Sequence, residues 1–255
     1  MSQTFSSLFI SHGAPTLPME NSPARRFLES LGQQLPKPSA IVVLSPHWMT
    51  RGLEVKSPER FETWHDFGGF PEELYRLKYT PRGEPVLATR VLELLRGAGM
   101  HAQPSADVKL DHGVWVPLLL MFPQADIPLV QVSATWDTPK RYRELGQTLG
   151  PLAKEGVLIL GSGGLVHNLR EIVMDSDFVP DWARNFEQWA HAKLEAGDWD
   201  SLCEYRKLAP DAARAHPTED HYLPLYFAGG AGGESVALHR SFAHGGLSMA
   251  TYAFK

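Results

Sequence analysis

The sequence predicts an α/β fold: a single layered domain with a mixed, partly parallel central sheet flanked by helices. Three observations carry this. Apolar runs rich in β-branched residues recur at Leu8-Phe9-Ile10-Ser11, Ile41-Val42-Val43-Leu44, Leu129-Val130-Gln131-Val132 and Val157-Leu158-Ile159-Leu160. Short runs of this kind read as strands buried on both faces. Segments with apolar residues at helical spacing alternate with them, which favours parallel strands joined by helical crossovers. Finally, three of the runs deliver a histidine: His12, His47 after Ser45-Pro46, and His167 after Gly161-Ser162-Gly163-Gly164. Open α/β sheets keep their chemistry at the carboxyl ends of such strands.

In chain order, the strand Leu8 to Ser11 runs into His12-Gly13-Ala14-Pro15, a turn because glycine and proline break both regular structures. Ser22-Pro23 starts a helix, with serine as cap and proline in the first position, and Phe27, Leu28 and Leu31 form its apolar side. The next strand is Ile41 to Leu44, ended by Pro46, and Glu54-Val55 forms a short one. Trp64 to Pro71 is aromatic and glycine-rich and reads as a loop, either lining a pocket or packed on the body. Pro85 to Arg96 is the clearest helix, with Val86, Leu87, Val91, Leu94 and Leu95 on one face and Gly97 or Gly99 to end it.

Met100 to Gln103 reads as a strand, Val114 to Met121 as a short buried helix, and Leu129 to Val132 as a further strand. Pro139 to Lys154 is a helix that buries Tyr142, Leu145, Leu149 and Leu152. Strand Val157 to Leu160 leads to a glycine-rich turn at 161–164. Asp181 to Glu195, Ser201 to Leu208 and Tyr222 to Phe227 read as helices, 229–233 as a flexible glycine turn, and Leu247 to Ala253 as a closing strand.

The 255 residues, 43% of them hydrophobic, suffice for one domain over 1–255 with a full core. A net charge of −5 without basic blocks gives no reason to expect a nucleic-acid or anionic-membrane partner. A lone cysteine, Cys203, cannot form an internal disulfide and fits a reducing compartment. Residues 1–5 lack the basic region and apolar core of a signal peptide. No apolar run reaches the roughly 18 residues of a spanning helix. The expected setting is the cytoplasm.

His12 and His47 sit at strand ends in turns with glycine or proline, so either they share a site or each is structural. Imidazole is the commonest nitrogen ligand for zinc and iron, and a rigid strand end fixes its direction. His216 and His221 are five apart with Pro217 between, which does not fit the helical His-Glu-x-x-His pattern of zinc proteases. His112 and His167 can act as acid or base near neutral pH, or be hydrogen-bonded structural residues. Gly161-Ser162-Gly163-Gly164 is neither a phosphate loop nor a nucleophile elbow; it lets backbone pass close to the site. His101, His191, His239 and His244 read as structural, whereas His65 stands in the aromatic loop.

Ser11-His12-Gly13-Ala14-Pro15, Ser45-Pro46-His47-Trp48, Asp111-His112-Gly113-Val114-Trp115-Val116-Pro117-Leu118, Gly161-Ser162-Gly163 with His167-Asn168-Leu169, His216-Pro217-Thr218 with His221-Tyr222-Leu223-Pro224-Leu225, and Leu247-Ser248-Met249-Ala250 occur in this order. As a set they resemble the class III extradiol ring-cleaving dioxygenases, the superfamily of the protocatechuate 4,5-dioxygenase β-subunit, and in particular its DOPA 4,5-dioxygenase branch. Each block is unspecific by itself; the ordered set is specific and runs from residue 11 to residue 250.

The resemblance implies a non-haem Fe(II) site with His12, His47 and His221 as ligands and His112 and His167 as the acid–base pair. The wider superfamily uses two histidines and a glutamate. Here histidine stands third, and Glu219 and Asp220 beside it keep a carboxylate alternative open. Three neutral imidazoles also make capture of Zn(II) easy, with His167 near enough to join it. The implied reaction takes a small catechol and O2 to a muconic semialdehyde, with His167 accepting a catechol proton and His112 donating one during ring opening. Trp48, His65, Trp115 and His216 are candidate pocket residues, and Arg170 is a candidate for a substrate carboxylate. Two other readings compete: a zinc-dependent hydrolase on the same scaffold, and a non-enzymatic metal-binding interaction protein. A homo-oligomer is compatible with all three.

Overall fold

The computed structural model describes residues 6–255, so the expectation about residues 1–5 lies outside the described residues. An eight-stranded sheet in the order β5-β3-β7-β2-β8-β1-β12-β9 divides the molecule into two layers of helices. In chain order, the elements of the first half are β1 (Ser7–Ser11), α1 (Pro23–Gln34), β2 (Ala40–Thr50), β3 (Leu53–Lys56), β4 (Glu62–Thr63), α2 (Pro85–Gly97), β5 (Ala102–Ser105), β6 (Lys109–Leu110) and α3 (His112–Met121). Then follow β7 (Leu129–Thr135), α4 (Pro139–Leu149), β8 (Val157–Gly163), α5 (Asp181–Glu195), α6 (Trp199–Cys203), α7 (Tyr205–Leu208), α8 (Ala212–Ala215), α9 (Leu223–Ala231), β9 (Ser235–His239), β10 (Phe242–Ala243), β11 (Leu247–Ser248) and β12 (Thr251–Phe254).

The central strands β7, β2, β8 and β1 are parallel. Antiparallel neighbours flank them, β3 on β7 at one side and β12 on β1 at the other. The mixed, partly parallel sheet expected from the strand–helix alternation is therefore observed. Alternate residues of β2 serve opposite layers: Val42 and Leu44 pack with α2, α4, α5 and α9, whereas Ile41 and Val43 pack with α1 and α3. Burial on both faces explains why these strands are apolar without alternation. Among the described residues, no helix is long and apolar enough to cross a membrane.

Several elements differ from expectation, each for a physical reason. β2 does not stop at Pro46. Its pairing with β7 jumps from Ser45↔Ser133 to Met49↔Ala134, so Pro46, His47 and Trp48 form a bulge and the strand resumes to Thr50. Proline, which has no N–H, is tolerated where the ladder is interrupted. The segment 161–163 continues β8 rather than turning, because β1 pairs with it as far as Ser11↔Gly163. Gly229 and Gly230 belong to α9: a Cβ on Gly230 would collide with the Arg143 carbonyl of α4, so glycine permits the close crossing of the two helices.

The predicted face of α2 is narrower, with Leu87, Val91 and Leu95 buried and Val86 78% exposed. The strand expected at Met100 to Gln103 lies two residues on, as β5. The helix expected over 139–154 ends at Leu149 and finishes as a 3-10 segment, Gly150–Glu155, started by Pro151. The closing strand is split into β11 and β12. Ser22 caps α1 as expected, accepting a hydrogen bond from the Arg25 N–H at 3.2 Å.

Candidate metal centre

Three separate backbone devices bring three histidines to one place. His12 follows β1, and its N–H donates to the Gly163 carbonyl of β8 at 3.0 Å. His47 is the middle residue of the β2 bulge, which turns its ring out of the strand's alternation. His221 stands just before α9, where its carbonyl accepts from the Gly164 N–H at 2.8 Å. A Cβ on Gly163 would collide with that carbonyl, and one on Gly161 with the carbonyl of Pro224. The glycines of β8 thus admit the start of α9 against the sheet, the close backbone passage expected from the sequence, although in a strand and not in a turn.

The Nε2 atoms of His12 and His47 are 3.2 Å apart, as are those of His47 and His221, and each of the three residues offers one nitrogen within 4.8 Å of the others. The hydrogen-bond network fixes two of the tautomers. Ser162 Oγ donates its proton to the Gly113 carbonyl, so at 3.0 Å it accepts from His12 Nδ1–H. Asp220 Oδ2 accepts from His221 Nδ1–H at 2.6 Å. The Nε2 atoms of His12 and His221 are left with a bare lone pair, and each lies 3.2 Å from His47 Nε2.

Burial holds these imidazoles neutral. It pushes His47 down to about 4, with repulsion from His112 adding. It also holds His12 and His221 well below the ordinary histidine range, with the neighbouring imidazoles adding. Nitrogens about 2.0–2.1 Å from one ion, at angles of about 90–110°, would lie about 2.8–3.4 Å apart. The spacing and the neutral donor set fit a divalent transition metal. Neither flanking carboxylate joins the three converging nitrogens: Asp220 is engaged with His221 Nδ1, and Glu219 accepts from Tyr205 Oη at 3.0 Å and Arg206 Nε at 3.4 Å.

Two further histidines flank the cluster. His112, the first residue of α3, has its ring 4.0 Å from that of His47 and 5.5 Å from that of His12, centroid to centroid. Its backbone N–H and Nδ1 both meet Asp66 Oδ1, at 3.0 and 2.9 Å, while Asp66 Oδ2 is 3.5 Å from His47 Nδ1. Burial works to raise the Asp66 carboxyl, but the His112 hydrogen bonds and charge prevail and hold it below its usual range. His167 is stacked on His221. Burial pushes it down to about 4, with His47 and His112 adding against the pull of Asp220. Behind the cluster, Asp111 accepts from Ser45 Oγ at 2.6 Å and Gln131 Nε2 at 2.7 Å, which ties β2 and β7 to the start of α3.

The remaining candidates are placed unevenly. Trp48 is half-buried beneath Lys56, whose Nζ is 4.0 Å from its ring centroid. Trp115 is fully buried, donates Nε1–H to the Trp64 carbonyl at 3.0 Å, and lies 5.6 Å from His65 and 6.3 Å from Phe67. It therefore backs the 64–70 loop. His65 donates to the Leu77 carbonyl at 3.2 Å within that aromatic cluster. His216 is buried among Phe186, Tyr205 and Tyr222 and donates Nε2–H to the Leu165 carbonyl at 2.9 Å, which steadies the connection to His167. Arg170 is exposed on the segment after His167. Sequence reasoning assigned no role to Asp66 or Ser162, although both lie inside stretches it singled out, the aromatic loop and the glycine-rich segment.

Residues 6–255 match the family described as the catalytic LigB subunit of aromatic ring-opening dioxygenase. The chain is 41% identical over 258 residues to a 4,5-DOPA dioxygenase extradiol of Beta vulgaris, covering 97% of this chain and 96% of that protein. It is 39% identical over 232 residues to a protein of the same description from Escherichia coli (strain K12), covering 88% and 84%. Among solved structures, that of an uncharacterized protein from Escherichia coli K12 matches with a TM-score of 0.81 and 33% identity, over 98% of this chain and 99% of that one.

Proposed function

The chain belongs to the LigB family of aromatic ring-opening extradiol dioxygenases, and from that premise we propose that it cleaves a small catechol, DOPA-like or related, with O2 at a non-haem Fe(II) centre to give a muconic semialdehyde. The observation that carries the metal assignment is the convergence of His12, His47 and His221 through Nε2 atoms, two of them left unprotonated by their Nδ1 partners. The whole of 1–255 acts as one catalytic domain in the cytoplasm.

In this reading His12, His47 and His221 would hold Fe(II), which would supply open positions for the catechol and O2 and the redox chemistry between them. The residues supply the rest. His167, neutral because it is buried, accepts a proton from a catechol hydroxyl. His112, having first taken up a proton, donates it as the ring opens. The 64–70 loop, with Trp115 behind it, excludes water on one side; Trp48 forms a further wall, and Arg170 meets a substrate carboxylate. His216 acts from behind by holding the Leu165 carbonyl. The neutral donor set also accepts Zn(II), which would occupy the site without supporting oxygen chemistry.

The test is anaerobic loading with Fe(II), then air and a panel of catechols. Oxygen uptake and a yellow product are expected. Absence of both across the panel overturns the reading. Turnover with Zn(II) and no oxygen dependence would establish a hydrolase instead, and tight metal binding without any turnover would establish a non-enzymatic metal protein.

A further inference from the structure

Asp66 stands at a junction that the family resemblance does not address. Its side chain is 6% exposed, and a single oxygen, Oδ1, takes both the backbone N–H of His112 at 3.0 Å and the ring Nδ1 of His112 at 2.9 Å. We propose that Asp66 is a positioning residue that locks His112 as the Nδ1–H tautomer and so leaves Nε2 as the one atom His112 presents to the substrate.

The chemistry is direct. An ionised carboxylate only accepts hydrogen bonds, so a ring nitrogen 2.9 Å from it carries the proton. Neutral His112 is therefore unprotonated at Nε2, and any proton it takes up or gives back moves at that atom. The first N–H of α3 has no partner within its own helix. Asp111, in the cap position, makes no capping bond with its side chain. Asp66 supplies that bond from outside the helix, which fixes the backbone of His112 as well as its ring. At 3.5 Å the contact of Oδ2 with His47 Nδ1 is long for a hydrogen bond and acts through charge.

The two-stranded ladder of β4 and β6 explains how a loop residue achieves this precision. Glu62 pairs with Lys109 and Thr63 with Leu110 in parallel register, so both chains leave the ladder side by side, one toward Asp66 and the other toward His112. Trp64 N–H donates to the Leu110 carbonyl at 2.9 Å, and Trp115 Nε1–H returns to the Trp64 carbonyl at 3.0 Å. The lever from the bracket to the carboxylate is thus only a few residues long. His167 differs: its ring is stacked on that of His221, and among the described residues no other side chain hydrogen-bonds to it.

The role of His112 in turnover rests on the proposed dioxygenase reading, but its tautomer does not, and the experiment separates the two. Nitrogen-15 NMR of histidine side chains in the full-length zinc-loaded protein reads the tautomer of His112 directly. The wild type is expected to show Nδ1–H with a bare Nε2. Asp66→Asn keeps an accepting oxygen and is expected to keep that pattern, whereas Asp66→Ala loses it; Asp66→Ser serves if the alanine variant fails to fold. The same tautomer in wild type and in the variant lacking the carboxylate overturns the proposal. In the iron-loaded enzyme, Asp66→Ala is expected to lower kcat by about 10² with KM within about threefold, and added formate to restore part of it. A raised KM at unchanged kcat would make Asp66 a pocket wall and overturn the positioning role. A wild type without oxygen uptake would sink the dioxygenase reading and leave the NMR result standing.

Discussion

The imidazole rings of His167 and His221 lie face to face, with centroids 3.6 Å apart and planes 5° from parallel. The stack places the proposed base directly against a proposed metal ligand without joining it to the cluster of converging nitrogens. His167→Ala is expected to keep its metal and lose turnover by about 10² or more. Metal analysis alongside oxygen uptake checks this, and full activity would remove the assigned role.

Ser162 joins His12 Nδ1 to the buried Gly113 carbonyl. Partners of this kind orient a ligand and set its tautomer, and losing one costs about 10–100-fold in metal affinity. Ser162→Ala is therefore expected to weaken metal binding by that factor with the secondary structure unchanged. Competition against a chromophoric chelator measures it. Unaltered affinity would show that His12 is oriented by β1 alone.

Gly163 has no room for a side chain, because a Cβ there would collide with the His221 carbonyl and crowd the Pro224 ring, at 3.1 Å from Cγ. Gly163→Ala is expected to displace His221 and to destabilise the protein by about 1–3 kcal/mol, the usual cost of overpacking. Urea unfolding and a metal titration on the same variant check both effects. The loss of metal should exceed what the loss of stability explains.

Acid should destabilise the chelator-treated protein well above the range in which carboxylates titrate. Burial holds His216 neutral, pushed down to about 3, and displaces His47 and His167 to about 4. An unfolded histidine titrates near 6.5. Between those values the unfolded chain binds more protons than the folded one, so stability is full above about pH 6.5 and falls as the pH drops through that window. His244, raised by its hydrogen bond to Glu20, works in the opposite sense but is outnumbered. Urea midpoints at pH 8, 6 and 4.5 should decline in that order.

Much of this arrangement was legible in the sequence. The apolar runs marked β1, β2, β7 and β8, and the histidines that follow two of them, His12 and His47, converge in space with His221. Pro46 reads as the end of β2 because a proline inside a strand is normally its end. Only the pairing of Met49 with Ala134 reveals that the strand resumes. The glycines of α9 read as a turn because propensity is local, whereas Gly230 admits the Arg143 backbone of another helix and Gly229 the Trp199 ring. Asp66 was silent for a related reason: nothing in a glycine-rich aromatic loop tells which polar side chain turns inward.

His47 and His221 are 174 residues apart in the chain, yet their Nε2 atoms are 3.2 Å apart. Contacts of such separation form only after the intervening chain has closed its loops, and loop closure is what slows folding. The binding site therefore does not exist in any partly folded chain that lacks the β1–β8–β2 pairing and the docked start of α9. An ion captured by all three histidines reports a finished molecule, and it would resist unfolding by tying together segments far apart in the chain.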